Sequence, residues 1–521
     1  MKGSRLIRRL TVTEWTVVLY ALVNAALYAS LIPLWEGFDE PFHYGLVRDY
    51  GRATLPITGK TTLDGEVAAS LKLTPISHLL KRNLGGGVTF DEYFRLDAGE
   101  RAAMRARLNA LDPALPGAGG NYEAQQAPLA YVVMAAVDRL SDGAPLTDRV
   151  YRLRLFIALI SAAATSFALL WLAALLDAPP AAKVCALFVA MSGQMFYATT
   201  AHVANDWLAT PLFLLMAAAG ASLLKHPNVK RGAVLSALLA AALLAKASML
   251  AAGPWVVLIL LLRLPWRQAL AALWPLLLAA PWYLRNFLLY GNLSGMHEFA
   301  SRADGTSPLG AMPLVPWMDA LWHMARSAVW TGNNSFTPMS RDLVATLLVL
   351  AAIGLLSAVV QDWRKRIPAH EGLMWPLAGL MAASLGYAIA VSFWFTRGMA
   401  YSAGPWYAQP LSLLLAVLLS VVLSRARLLG RVVMAASALL SAYMIVLTWW
   451  VKLIPLYAGV AVGRSTLRGV TDIYRNRGGE LAARLAETAM AGPEFLFVMA
   501  AGSTILAVGL GLWTAAALRR D

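Results

Sequence analysis

The chain has 521 residues, of which 59% are apolar and 14% charged, with a mean hydropathy of +0.59. Those values exclude a water-soluble globule of this length and describe a polytopic membrane protein. The net charge of +15 does not signal nucleic acid, because the basic residues fall largely between apolar segments, where they orient the chain in a bilayer; the lone Cys185, inside an apolar run, excludes a disulfide framework or a CxxC site within the chain.

Runs of roughly 17 to 25 apolar residues mark membrane spans. They occur near 14 to 35, 152 to 176, 181 to 200, 206 to 224, 232 to 248, 250 to 264, 268 to 287, 342 to 360, 372 to 394, 406 to 423, 432 to 451 and 493 to 516, about twelve in all. Alternate connections are basic (MKGSRLIRR, KHPNVKR, RLPWR, DWRKR, SRARLLGR and LRRD). The excess of Lys and Arg on one side predicts that both termini are cytoplasmic. The first run is too long for a signal peptide and lacks a small-residue cleavage site before the acidic stretch, so it reads as a retained helix.

This divides the chain into a first span with its N-terminal tail (1–35), a first external loop (36–150), spans two to seven (151–287), an external loop (288–341), spans eight to eleven (342–451), a third external stretch (452–492) and a last span with its tail (493–521).

The first external loop opens on EGFDEPFHYG, residues 36 to 45. Pro41 suits the first turn of a helix, with Asp39 or Glu40 at its cap and Glu40, His43 and Tyr44 within one turn. The plain reading is a capping Asp39 and a solvated Glu40. Further on, DAGERAAMRARLNAL offers Asp97 as N-cap with Glu100 three residues into the helix, and an apolar face of Met104, Leu108 and Leu111. Such a short basic amphipathic helix suits the headgroup layer.

Other polar clusters lie at the same outer level: NYEAQQAPLAY (121–131), HVANDWLATPL (202–212), LLAKASML (243–250), PWYLRNFLLYGN (281–292), ARSAVWTGNNSF (325–336) and FTRGMAYSAGPWYAQP (395–410). Charges so close to hydrocarbon are costly and usually face an interior site. Acids (Asp39, Glu40, Glu123, Asp206) and bases (Lys246, Arg285, Arg397) on one side of one bundle imply an anionic ligand beside a carboxylate. Three of them have a simpler alternative: Asp206 as a helix cap, Lys246 snorkelling to the headgroups, Arg285 as an interfacial anchor beside Trp282 and Tyr283. His202 is assigned no role.

The order DEPxH after the first helix, then YEAQQAPLAY, NDWLA, LLAKAS, WYLRNFLLYG and a late GPWYAQP resembles the GT-C superfamily of membrane glycosyltransferases, and within it the bacterial members related to protein mannosyltransferases and lipid A aminoarabinose transferases. The resemblance implies an all-α bundle of about twelve transmembrane helices with amphipathic juxtamembrane helices in a large first external loop. It implies a polyprenyl-phosphate-linked sugar donor, a glycan, lipid or protein acceptor, and Asp39, with Glu40 beside it, as the catalytic carboxylate. The expected substrate-binding set is His43, Tyr44, Glu123, Gln126, Asn205, Asp206, Lys246, Tyr283, Arg285, Asn286 and Arg397. QQAPLAY departs from a more common Q/H-P-P-L-Y-Y run, and Trp406 stands near an arginine usual before the late proline, a charge for which Arg397 substitutes.

Transfer from a lipid monophosphate needs a carboxylate near the acceptor hydroxyl and cations near the leaving oxygens. Lys246 and Arg285 are expected to offset a monophosphate, so no cofactor is required and a divalent metal is not expected. Short basic cytoplasmic loops in an Ala- and Arg-rich chain suggest a bacterial inner membrane with the site facing outward. The alternatives are a secondary transporter or flippase, and a noncatalytic lipid-binding scaffold. A transporter would place its charges near the midplane in two related halves, whereas here they gather at outer span ends.

Overall fold

The computed structural model describes residues 10–84, 86–295, 306–329, 332–335, 337–364, 366–398, 404–460 and 467–520. The basic patch at 1–9, residues 399–403 of the FTRGMAYSAG motif, residues 330, 331 and 336 of the ARSAVWTGNNSF motif, residue 365 of DWRKR and the final residue lie outside that set.

Helix α1 (Val12–Leu31) starts with a capping box, in which the Thr11 hydroxyl accepts from the Glu14 amide at 3.2 Å and the Glu14 carboxylate accepts from the Thr11 amide at 2.8 Å. After it the chain folds the first loop. Helix α2 (Glu40–Gly51) begins with Pro41 in its first turn and Asp39 at the N-cap. Strand β1 (Thr62–Leu63) follows, then β2 (Pro75–Ile76) and β3 (Val88–Thr89), which pair parallel with each other. Helix α3 (Ala98–Asn109) carries the expected capping box between Asp97 and Glu100, and β4 (Ala118–Gly120) pairs antiparallel with β1. Helix α4 (Leu129–Asp138) then leads to α5 (Leu146–Leu175).

The loop has its own apolar core, in which Trp35, Tyr44, Val47, Val67, Tyr131 and Met134 pack against Val150 and Leu153 at the start of α5. Polar groups buried there are paired. Trp35 Nε1 donates to Ser70 Oγ at 2.7 Å, and Tyr44 Oη and Arg48 Nη1 donate to Asp138 at 2.8 and 3.1 Å. The loop is thus a folded cap fused to the membrane helices.

Helices α6 (Pro180–Met191) and α7 (Gln194–Thr200) follow, with a 55° bend between them at Ser192 and Gly193, a pair that weakens helix continuity. Next come α8 (Asp206–Lys225), α9 (Val229–Ala245), α10 (Gly253–Arg263) and α11 (Ala280–Tyr290). The last group is α12 (Arg341–Trp363), α13 (Trp375–Phe395), α14 (Gln409–Ser424), α15 (Arg427–Val446), α16 (Leu467–Thr488) and α17 (Pro493–Arg520).

Among the described residues eight helices are long and apolar enough to cross a membrane, or nine if the bent α6–α7 pair is one span. The expected count of about twelve included stretches near 232 to 248, 250 to 264 and 268 to 287, which fall on shorter pieces. Helix α9, with 17 residues, is about 25 Å long at 1.5 Å per residue, short of a ~30 Å hydrocarbon layer. Pro254, Pro265, Pro275 and Pro281 break the rest, because each lacks an amide donor and starts a new helical segment. Hydropathy sums do not register those breaks.

The main core runs through α1, α5, α8 and α9. Close approach there depends on small residues, as at Gly220 of α8, where an added Cβ would lie 2.2 Å from the Trp255 ring of α10. Helix α12 instead exposes Leu348, Val349, Leu355, Leu356 and Val359. An exposed aliphatic surface on long apolar helices is the solvent-facing surface of an integral membrane protein, where the solvent is lipid.

Candidate active site

The turn between α1 and α2 is held from three directions. Arg154 of α5 donates to the carbonyls of Ile32 (2.6 Å) and Pro33 (3.0 Å), just beyond the last turn of α1, the second of which also accepts from the Glu36 amide at 3.2 Å. The amide and side-chain Nδ2 of Asn334 donate to the carbonyls of Glu36 (3.2 Å) and Gly37 (3.0 Å). His202 Nε2 donates to the Phe38 carbonyl at 3.1 Å. A Cβ at Gly37 would sit 2.6 Å from the His202 ring, so only glycine fits there. Trp35 and Asp39 take positive φ, 65° and 54°. Asp tolerates this region better than most residues, yet the conformation still costs energy and persists because the surrounding bonds fix it.

Asp39 and Glu40, adjacent in sequence, diverge. Glu40 is fully buried and receives Nε of Arg154 at 2.7 Å, a second and closer bond from Arg154 Nη2, and the Val203 amide at 3.0 Å. Burial pushes its carboxyl up, but Arg154 and the other donors outweigh that and hold it below the usual carboxylate range. Asp39 is only partly enclosed, and its Oδ1 accepts a short hydrogen bond from the Tyr122 hydroxyl. Enclosure raises its pKa above the usual value, against the opposing pull of Tyr122, His202 and Lys246.

Around Asp39 the loop, α2 and the start of α8 form one polar network. His43 Nδ1 meets Tyr131 Oη at 2.7 Å and lies 4.0 Å from Glu123. Burial, reinforced by His202 and Lys246, holds His43 well below its ordinary pKa, so it is neutral and its approach to Glu123 is not an ion pair. Gln126 donates to Glu123 at 2.6 Å, and Asn205 donates to Gln126 at 2.9 Å. Lys246, at the C-terminal cap of α9, gives Nζ to both oxygens of Asp206 at 2.7 Å, with the Tyr407 ring centroid 5.6 Å away. Trp406 packs on Phe38 at 4.9 Å between ring centroids, bringing the late GPWYAQP motif to the same turn.

Asp39, His43, Glu123, Gln126, Asn205, Asp206 and Lys246 therefore gather in one place. The other candidates make contacts of their own. Tyr44 is buried in the loop core on Asp138, Tyr283 Oη donates to the Leu243 carbonyl at 2.9 Å, and Asn286 Nδ2 donates to the Leu293 carbonyl at 3.2 Å. Arg285 donates to the Pro56 carbonyl at 2.7 Å with its guanidinium 4.8 Å from the Trp282 ring centroid. Arg397 is exposed and lines a separate cavity of about 420 Å³ with Thr306, Ser307 and Trp394. Lys246 and Arg285 thus each have a protein partner of their own, Asp206 and the Pro56 carbonyl. Among the described residues, no three His, Cys, Asp or Glu side chains group as a metal site.

Three residues of the site are not among the sequence candidates. Tyr122 sits inside the noted NYEAQQAPLAY motif, and an arginine in the apolar run RLRLFIALI, Arg154, is the kind of buried charge that asks for a partner. His202 gives no signal without the position of Gly37.

No family model matches the sequence, and no curated protein matches it. Among solved structures, the chain is similar to the apo crystal structure of ArnT from Cupriavidus metallidurans, with a TM-score of 0.37 and 16% identity over 86% of this chain and 74% of that one. It is also similar to the crystal structure of the Archaeoglobus fulgidus oligosaccharyltransferase tethered by a disulfide to an acceptor peptide containing the NVT sequon, with a TM-score of 0.38 and 13% identity over 96% of this chain and 55% of that one.

Proposed function

We propose that the protein is an inverting glycosyltransferase that moves a sugar from a polyprenyl-phosphate donor to an acceptor hydroxyl on the external face of the membrane, with Asp39 as general base. The observation that carries this reading is the divergence at the α1–α2 turn. Glu40 is consumed by Arg154 and Val203, whereas Asp39, one residue earlier, is held in a left-handed conformation with its carboxylate on the side of Tyr122, Lys246 and Asp206.

In the reaction, the acceptor oxygen attacks C1 of the sugar as Asp39 takes its proton. The C1–O bond to the lipid phosphate breaks, its electron pair leaves with the phosphate, and configuration inverts. A carboxylate with a raised pKa is a stronger base than a free one and therefore better matched to this proton. Tyr122 aims the carboxylate. Lys246 supplies positive charge for the leaving phosphate, but only in competition with Asp206, so Asp206 sets how firmly the donor is held.

The experiment is sugar transfer by purified protein from a radiolabelled lipid-linked donor to an acceptor extract. A transporter or a binding scaffold leaves the label on its lipid, and that result would remove the proposal.

A further inference from the structure

A cavity of about 470 Å³ opens on the other flank of the α1–α2 turn, within the range of small-ligand sites. Its floor is Asn334 and Ser335, the residues that bind Gly37 and Glu36 from below. Phe90 and Leu456 give it an apolar wall, and Lys452 and Arg82 both line it. Lys452 stands on a π-helical turn (Leu447–Leu453) inside the apolar segment Arg427–Tyr457, where a charge is costly unless it serves a cavity. Neither Lys452 nor Arg82 has an ion-pair partner among the described residues. Asp91, the one carboxylate lining the cavity among the described residues, faces His78 at 3.6 Å.

Glu36, which Ser335 of the cavity lining bonds through one oxygen, is fully buried, with its other oxygen without a partner. Burial raises its pKa to about 8, against Ser335 and Arg154, so it is neutral at pH 7 and does not balance the two cations. The cavity is therefore lined by two cations and an apolar wall.

We propose that this cavity is a second ligand site that takes an anionic amphiphile, with Lys452 and Arg82 on its acidic headgroup and the Phe90–Leu456 wall on its chain. It is a place for the acceptor, because Ser335 and Asn334 connect its floor to the turn that carries Asp39; only that assignment rests on the transferase reading.

The test is a binding titration of the full-length protein in neutral detergent with dioctanoyl phosphatidic acid, dioctanoylglycerol and inorganic phosphate. Phosphatidic acid binds at least about tenfold more tightly than either, and Lys452→Met or Arg82→Met each weakens it by about tenfold, the scale of one charge-assisted contact. Lys452→Arg retains binding, which separates charge from a folding defect, and the exposed Arg82 carries the test if Lys452→Met does not fold. Equal affinity for dioctanoylglycerol overturns the anionic headgroup, equal affinity for inorganic phosphate overturns the amphiphile, and unchanged binding in both variants overturns the site. Asp39→Asn leaves this binding intact. Binding without any sugar transfer by the wild-type protein keeps the site and removes the transferase reading.

Discussion

Arg154 and Glu40 lie 114 residues apart and meet as a fully buried ion pair, with Nε at 2.7 Å from Oε1. The same guanidinium ties off the end of α1, so one side chain sets the path of the chain from α1 into α2 and, with it, the position of Asp39. Arg154→Met leaves Glu40 in the interior without its countercharge, held only by the Val203 amide, and should destabilise the protein by about 3–5 kcal/mol. Because the Glu40 carboxyl is held below its ordinary pKa of 4.5, this stability is present above that value and is lost as pH falls through the lower, folded value. Arg154→Met with Glu40→Met should recover much of the loss. Thermal melting of the detergent-solubilised variants checks this, and a single variant that melts like wild type contradicts it.

The pH–rate profile reports on Asp39. The base works when ionised, and its pKa is raised by enclosure, so transfer should fall away on the acid side at a pH above the ordinary carboxylate value of 3.8. Tyr122, His202 and Lys246 all favour the ionised form. Tyr122→Phe removes one of these contacts, so the acid limb should move to higher pH. A limb that stays in place or moves down shows that Tyr122 does not act on the base.

Lys246 and Asp206 neutralise each other across two contacts of 2.7 Å. Lys246→Met should weaken the binding of a short-chain polyprenyl phosphate by about tenfold, the scale of one charge-assisted contact. Asp206→Asn keeps the shape and frees the ammonium, so it should tighten that binding. If both substitutions weaken binding equally, the pair acts only as a structural tie.

Local signals were legible in the sequence. The capping box at Asp97 and Glu100 and the proline-led start of α2 depend on residues three or four apart, and both stand where expected. The convergence of Glu123, Gln126, Asn205, Asp206 and Lys246 was legible in a coarser sense, since polar groups at outer span ends share a layer. A layer does not fix direction around the bundle. That is why the sequence does not show that Arg285 bonds the Pro56 carbonyl or that Arg397 lines a cavity with Trp394, and why the division between Asp39 and Glu40 needed Arg154, whose partner is set only by tertiary structure. Hydropathy counts more spans than there are long helices among the described residues because prolines near 254 to 281 break runs that remain apolar throughout.

The most direct measurement is transfer of labelled sugar from a polyprenyl-phosphate donor by Asp39→Asn and wild type, each purified and confirmed folded by its melting temperature. The substitution keeps the volume and removes the proton acceptor. The account predicts transfer by wild type and a loss of about 100-fold or more in the variant, the scale of general-base effects. Near-normal transfer by Asp39→Asn would contradict it, and would shift the base to another carboxylate of the same network, Glu123 or Asp206.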